Sequence, residues 1–254
     1  MNTPFSGDGP LVLAHRGGGG ESVENSWAAL EHMRANGLTV METDVRVTAD
    51  GVPVLHHDAT LERMAGRGEA ISALTGEQLA KIHDHSGNPP VPLDEALLSF
   101  PEIRFNIDAK EAAAVGPVAE RAARHRDRIV VSSFSSSRLA QMNRATPGLF
   151  RSMGMGNVAA FLALATISPR LAHSVYPERP GTIALQIPEK YGPIPVTTPR
   201  LIEAAHRRGF EVHVWTVDDP AAADRLIAAG VDGIVTDTPV ALAAHLSAQG
   251  PIRK

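Results

Sequence analysis

Short apolar runs of strand length alternate along this chain with longer stretches whose apolar residues recur about every 3.6 positions, the period of a helix with one buried face. Strands are predicted at residues 11–15, 39–44, 103–108, 128–132, 148–152, 182–185, 211–215 and 233–236. Helices are predicted at 26–36, 112–125, 136–144, 199–208 and 220–229. Gly37, Gly209 and Gly230 follow three of these helices, where a left-handed residue ends a helix. Eight strands, most of them followed by a helix, in a chain of 254 residues predict an α/β fold, the closed (β/α)8 TIM barrel. The rival is an open doubly wound sheet, which needs a phosphate loop after its first strand. The glycines at 17–20 imitate one, but HRGGGGESVEN does not fit G-x-G-x-x-G.

The alternation lapses between residues 46 and 100. Asp50-Gly51 marks a turn between VRVTA and VPVLHHD, the pattern of a hairpin. Short helices are predicted at 74–82 and 93–100, with GNPPVP between them. The whole chain, 1–254, therefore reads as one barrel domain with a small insertion after the second strand, over one end of the barrel.

Composition narrows the function classes. A net charge of -4 gives no basic footprint, so nucleic acid is not an expected partner. The absence of cysteine removes disulfides, thiolate nucleophiles and Cys-ligated zinc. The opening MNTPFSGDGPLVLAHRG has neither the basic n-region nor the long apolar h-region of a signal peptide. The apolar stretch at 158–167 is too short to span a bilayer. A soluble cytoplasmic protein without stable membrane insertion is expected. The methionine-rich segment 153–167 is read as a barrel helix rather than a lipid groove.

In a barrel of this kind the C-terminal ends of the strands carry the chemistry. The first predicted strand ends in His15-Arg16, the second in Glu42-Thr43-Asp44, the hairpin in His56-His57-Asp58, and the third in Asp108-Ala109-Lys110. Residues two apart on a strand share a side, so Glu42 pairs with Asp44 and Asp108 with Lys110. Three carboxylates at one mouth repel unless a cation neutralises them. Their hard oxygens point to Mg²⁺ or Ca²⁺, with Mn²⁺ a further candidate. Singly, Glu42 and Asp44 could face helices and pair with arginines, and His56 and His57 could be solvated surface residues. The set is what suits phosphodiester chemistry. Arg16 can fork onto a phosphate and Lys110 can act on it as a point charge. His15 and His57 can divide general base and general acid between them.

The same residues resemble a known family. HRGGGGESVENS is similar to the opening motif of the glycerophosphodiester phosphodiesterases, METDVRVTADGVPVLHHDATLER to their second block, FNIDAK to their third, and VHVWTVDDPAAADRLIAAGVDGIVTDTP to their C-terminal signature. The blocks run in family order from residue 11 to about 240. The resemblance implies catalytic His15 and His57, phosphate contacts from Arg16 and Lys110, metal ligands Glu42, Asp44 and Asp108, and a small-molecule glycerophosphodiester as substrate. Trp215 matches the family tryptophan near the site; core packing is an equal reading of it. Three positions depart from the pattern. Val23 replaces a proline, Asp108 a glutamate one methylene longer, and Met64-Ala65 a pair of threonines. Two other functions stay open at this point: a lysophospholipase D or sphingomyelinase D-like activity on lipid diesters, and a barrel that binds phosphodiesters without cleaving them.

Overall fold

The computed structural model describes residues 3–176 and 180–254. Its strands are β1 (Leu11–His15), β2 (Val40–Val47), β3 (Pro53–Leu55), β4 (Arg104–Ala109), β5 (Ile129–Ser132), β6 (Arg151–Ser152), β7 (Thr182–Pro188), β8 (Lys190–Tyr191), β9 (Ile194–Pro195), β10 (Glu211–Trp215) and β11 (Gly233–Thr236). Eight of them, β1, β2, β4, β5, β6, β7, β10 and β11, hydrogen-bond as parallel neighbours in that order. The sheet closes where β11 pairs with β1, Leu11 against Gly233 through Ala14 against Thr236. The chain is therefore the expected (β/α)8 barrel.

Alternation along the strands separates two cores. Leu11 and Leu13 join Phe5, Val40, Val130 and Val235 in a small cluster inside the barrel, whereas Val12 and Ala14 join the large cluster shared with the helices. The helices are α1 (Trp27–Ala35), α2 (Glu62–Ala65), α3 (Gly76–Leu79), α4 (Leu93–Ser99), α5 (Val115–Arg124), α6 (Ser136–Ala145), α7 (Met155–Ile167), α8 (Pro169–Val175), α9 (Pro199–Arg207), α10 (Pro220–Ala228) and α11 (Pro239–Ser247). Ser26 caps α1 through Ala29 N, and Thr198 caps α9 through Leu201 N ahead of a proline at the first turn.

Several boundaries differ from the pattern. The strand expected at 148–152 shrinks to Arg151–Ser152, because Gly148 has φ 76°, outside the strand region, and the pairing to β7 is bulged. The helix expected at 74–82 holds only over Gly76–Leu79, started by a Thr75–Gln78 capping box. Segment 153–167 folds as α7, but it buries only Val158, Phe161 and Ala165, so it is an outer helix with one packed face. Helices α8 and α11 and the β8–β9 hairpin were not expected from periodicity. No helix among the described residues is long and apolar enough to cross a membrane.

The N-terminal end of the barrel is closed by Arg253, whose Nη1 lies 2.7 Å from Glu211 Oε1 and whose Nε donates to Gly9 O at 2.7 Å. Burial by itself would raise the Glu211 carboxyl. Its bonds to His213 and Arg253 outweigh burial and hold it below the ordinary glutamate range. A carboxyl held low stabilises the fold above its unfolded pKa and loses that contribution as pH falls through its folded value. Glu211→Gln should therefore lose less melting temperature than the parent chain between about pH 5 and about pH 3. Equal losses in a thermal melt would show that the pair contributes nothing.

Candidate active site

The inward sides of the strands follow from the barrel core. The face that carries Leu11 and Leu13 next carries His15; that of Val40 carries Glu42 and Asp44; that of Val130 carries Ser132. Asn106 lies beside Glu42 and Val130 in register, and Asp108 beside Asp44 and Ser132. These side chains converge at the C-terminal mouth. There a cavity of about 200 Å³ is lined by His15, Arg16, Glu42, Asp44, His57, Asp108, Lys110 and Trp215, all eight of the residues singled out by sequence. The structure adds Asn106 and Gln186 deep in the same cavity and Phe134, Met153 and Met155 at its side.

The loop after β1 is tight. Gly17 has φ 82°, and a Cβ there would sit 2.7 Å from Ala29 Cβ; Gly18 has φ 95°, and a Cβ there would sit 2.9 Å from Pro239 Cγ. Only glycine fits both the backbone and the space. Arg16 itself takes a left-handed backbone, φ 54°, which costs a non-glycine residue about 1 kcal/mol or more. The cost is met by Arg16 N donating to Glu42 O and Asn25 N donating to Arg16 O, each at 2.8 Å. The guanidinium is thereby aimed at Glu24 Oε1 (3.0 Å) and Asp44 Oδ2 (3.2 Å).

Both histidines are held by an aspartate on Nδ1. His15 Nδ1 lies 2.7 Å from Asp237 Oδ1, and His57 Nδ1 lies 2.7 Å from Asp58 Oδ1. Burial pulls the His15 pKa down, but Asp237 and Glu42 outweigh it and leave it above its ordinary value. Asp58 also accepts from Arg63 Nε at 2.7 Å, and Arg63 Nη2 donates to Glu24 Oε1 at 2.6 Å. Burial raises Asp58, yet His57 and Arg63 bring it down to about 2. A charge chain thus runs from His57 through Asp58, Arg63 and Glu24 to Arg16. His56, by contrast, turns away: it is buried, with Nδ1 3.0 Å from Asp58 O.

The acids do not form a ready ion cage. Lys110 Nζ sits between Asp44 Oδ1 (2.7 Å) and Asp108 Oδ2 (2.8 Å), and no group of three histidine or acidic side chains among the described residues is gathered to hold a metal as the side chains stand. The charge is nonetheless unbalanced. Glu42 Oε2 and Asp108 Oδ1 are buried without a hydrogen-bond partner. Burial, then the neighbouring Asp44 and Asp108, push the Glu42 carboxyl up to about 8. Oxygen donors with bare lone pairs in an acid-rich mouth fit a hard divalent cation by chemistry.

Trp215 stands edge-on to Phe134 with ring centroids 5.6 Å apart, and Lys110 Nζ lies 5.5 Å from the Phe134 ring. Trp215 also packs against the inner core, so it lines the cavity and serves the core packing together. Asp237, Arg63, Glu24 and Phe134 were not picked out by sequence. Asp58 follows His57 directly and was legible as a partner. Asp237 is 222 residues from His15 and reaches it only because β11 closes on β1.

The fold is an α/β barrel with a charged cavity at its C-terminal mouth. The model of the glycerophosphoryl diester phosphodiesterase family matches residues 15–241, and the chain belongs to that family. Among its relatives is the probable glycerophosphodiester phosphodiesterase 2 of Mycobacterium tuberculosis, 34% identical over 247 residues, covering 95% of this chain and 92% of that protein. A lysophospholipase D of Mus musculus is 25% identical, covering 98% and 86%. An Oleispira antarctica phosphodiesterase solved with its product sn-glycerol-3-phosphate superposes with a TM-score of 0.77 at 22% identity, over 94% of this chain and 97% of that one.

Proposed function

We propose that this chain hydrolyses glycerophosphodiesters to glycerol 3-phosphate and an alcohol, with His15 and His57 as the general acid–base pair. The observation that carries the reading is the matched pair of His–Asp contacts at 2.7 Å facing one cavity that also holds Arg16 and Lys110. With Nδ1–H donated to Asp237 or Asp58, each ring exchanges its proton at Nε2. Arg16 and Lys110 hold the phosphoryl oxygens. One histidine takes the proton of the glycerol 2-hydroxyl as that oxygen attacks phosphorus; the other protonates the departing alkoxide. In the second half the histidines exchange roles. Water loses its proton to the second ring and opens the cyclic phosphate, and the first ring returns its proton to the 2-oxygen.

Glu42, Asp44 and Asp108 would hold a divalent cation, Mg²⁺ or Ca²⁺ with Mn²⁺ a further candidate, which supplies Lewis-acid polarisation of the phosphoryl oxygens and the 2-hydroxyl. Asp108, shorter than the family glutamate, keeps its Oδ1 free for that purpose. The expected result with an analogue lacking the 2-hydroxyl is loss of turnover to background. Release of the alcohol from that analogue at the normal rate sinks the internal route.

A second reading has its own support. Phe134 is 55% exposed, and with Met153, Met155 and Trp215 it makes one side of the cavity apolar, a wall suited to a lipid alcohol. Rates on glycerophosphocholine and on lysophosphatidylcholine, measured side by side, separate the two.

A further inference from the structure

A line of polar side chains runs through the barrel from the cavity floor to its closed end, and its direction is fixed. The Glu211 carboxylate can only accept, and His213 Nε2 lies 2.9 Å from Glu211 Oε2, so that nitrogen carries the proton. His213 Nδ1 then accepts, and Gln186 Nε2, 3.5 Å away, donates to it. The amide of Gln186 is thereby set with Oε1 toward Asn106, whose Nδ2 donates at 3.2 Å. The other end of the Asn106 amide, Oδ1, is left as a bare acceptor. Asn106 is 1% exposed, lines the cavity, and its Oδ1 has no hydrogen-bond partner. A buried acceptor of this kind costs on the order of 1–3 kcal/mol unless a donor arrives.

The position narrows the donor. Asn106 is two residues below Asp108 on β4 and level with Glu42 on β2, so it lies about 6–7 Å along the strand beneath Asp44, Asp108 and the Lys110 ammonium between them. Being neutral, it competes poorly with Glu42 and Asp108 for a cation. A group that reaches it must be slim, uncharged and able to donate. We propose that Asn106 Oδ1 reads the glycerol moiety, accepting a hydrogen bond from the hydroxyl farthest from the phosphate. Gln186, His213 and Glu211 are the positioning residues that engage its Nδ2 side and leave Oδ1 unpaired. The assignment rests on the glycerophosphodiester reading above and deepens it, since no residue at the mouth has been assigned to the distal hydroxyl of the glycerol.

The test compares glycerophosphocholine with its analogue bearing hydrogen in place of the distal hydroxyl, which retains the attacking 2-hydroxyl. The parent chain should favour the glycerol diester in kcat/KM by about tenfold to a hundredfold. In Asn106→Leu that ratio should fall to within about threefold of one. Glu211→Gln, at the far end of the line, should also lower the ratio, because a neutral amide no longer dictates which way the line donates. Thermal melts establish that each variant is folded, and either variant suffices to test the idea. A ratio that stays at its parent value in the folded variants overturns the assignment, including the case in which both diesters lose rate equally, as they would if Asn106 served the cation or the fold. A parent chain that cleaves both diesters without discrimination overturns it as well, leaving the proposed function standing. A parent chain that cleaves neither sinks the proposed function, and this assignment with it.

Discussion

Replacing His15 by alanine is expected to lower kcat/KM on glycerophosphocholine by about 10²- to 10⁴-fold, the usual share of a positioned acid–base group. The fold should survive. His15 ends its strand at the mouth, with a fifth of its side chain exposed, and its bonded side-chain partner is Asp237. Loss of that contact should move the melting temperature by no more than about 4 °C. The measurement is steady-state hydrolysis beside a thermal melt. Near-parental activity in the folded variant would remove His15 from the mechanism. A melt lowered far beyond that range would instead make His15 a structural residue.

The second large effect concerns Lys110. Its ammonium is the common partner of Asp44 and Asp108, and both carboxylates are nearly inaccessible, at 2% and 6% side-chain exposure. Lys110→Met keeps the aliphatic stem and removes the charge. Three acids then face one another with Arg16 and Arg138 as the remaining permanent cations acting on them. Breaking a buried pair by removing one partner costs about 3–5 kcal/mol, and the partial exposure of Lys110 lowers the expectation to about 2–3 kcal/mol. In a chain of this size that is a fall of about 5–10 °C in melting temperature. The sign of the cation effect is the sharper readout. If Glu42, Asp44 and Asp108 hold a divalent cation, added Ca²⁺ or Mg²⁺ should restore much of the lost stability and should raise the melt of the variant more than that of the parent. A variant whose melt ignores divalent cations would sink the proposed ligand set, whatever its activity.

Much of this protein could be read before its fold was known. Strands β1, β10 and β11 begin and end where periodicity places them, because an apolar run bounded by turn residues and flanked by polar ends has one natural length. Strand β2 ran past its expected end to Val47, since the backbone that serves the barrel also serves the hairpin with β3. Helix α8 was missed because its seven residues give too little periodicity to count. The charged ends of the strands were legible for a physical reason. Polar groups at barrel positions that would otherwise be apolar stand out against the alternation, as His15, Glu42, Asp44 and Asp108 do.

The sequence by itself thus determined the barrel, its family and the eight side chains that meet at its mouth, because all three depend on local pattern and on motif blocks that keep their order along the chain. Tertiary structure alone decided which groups hold those side chains. Asp237 reaches His15 through sheet closure, Arg63 bridges Asp58 and Glu24 across the insertion, and Lys110 divides itself between two acids. The direction in which Asn106 points was equally hidden. It is set by a carboxylate at the opposite end of the barrel through two intervening side chains, and no spacing along the chain records a hydrogen-bond direction.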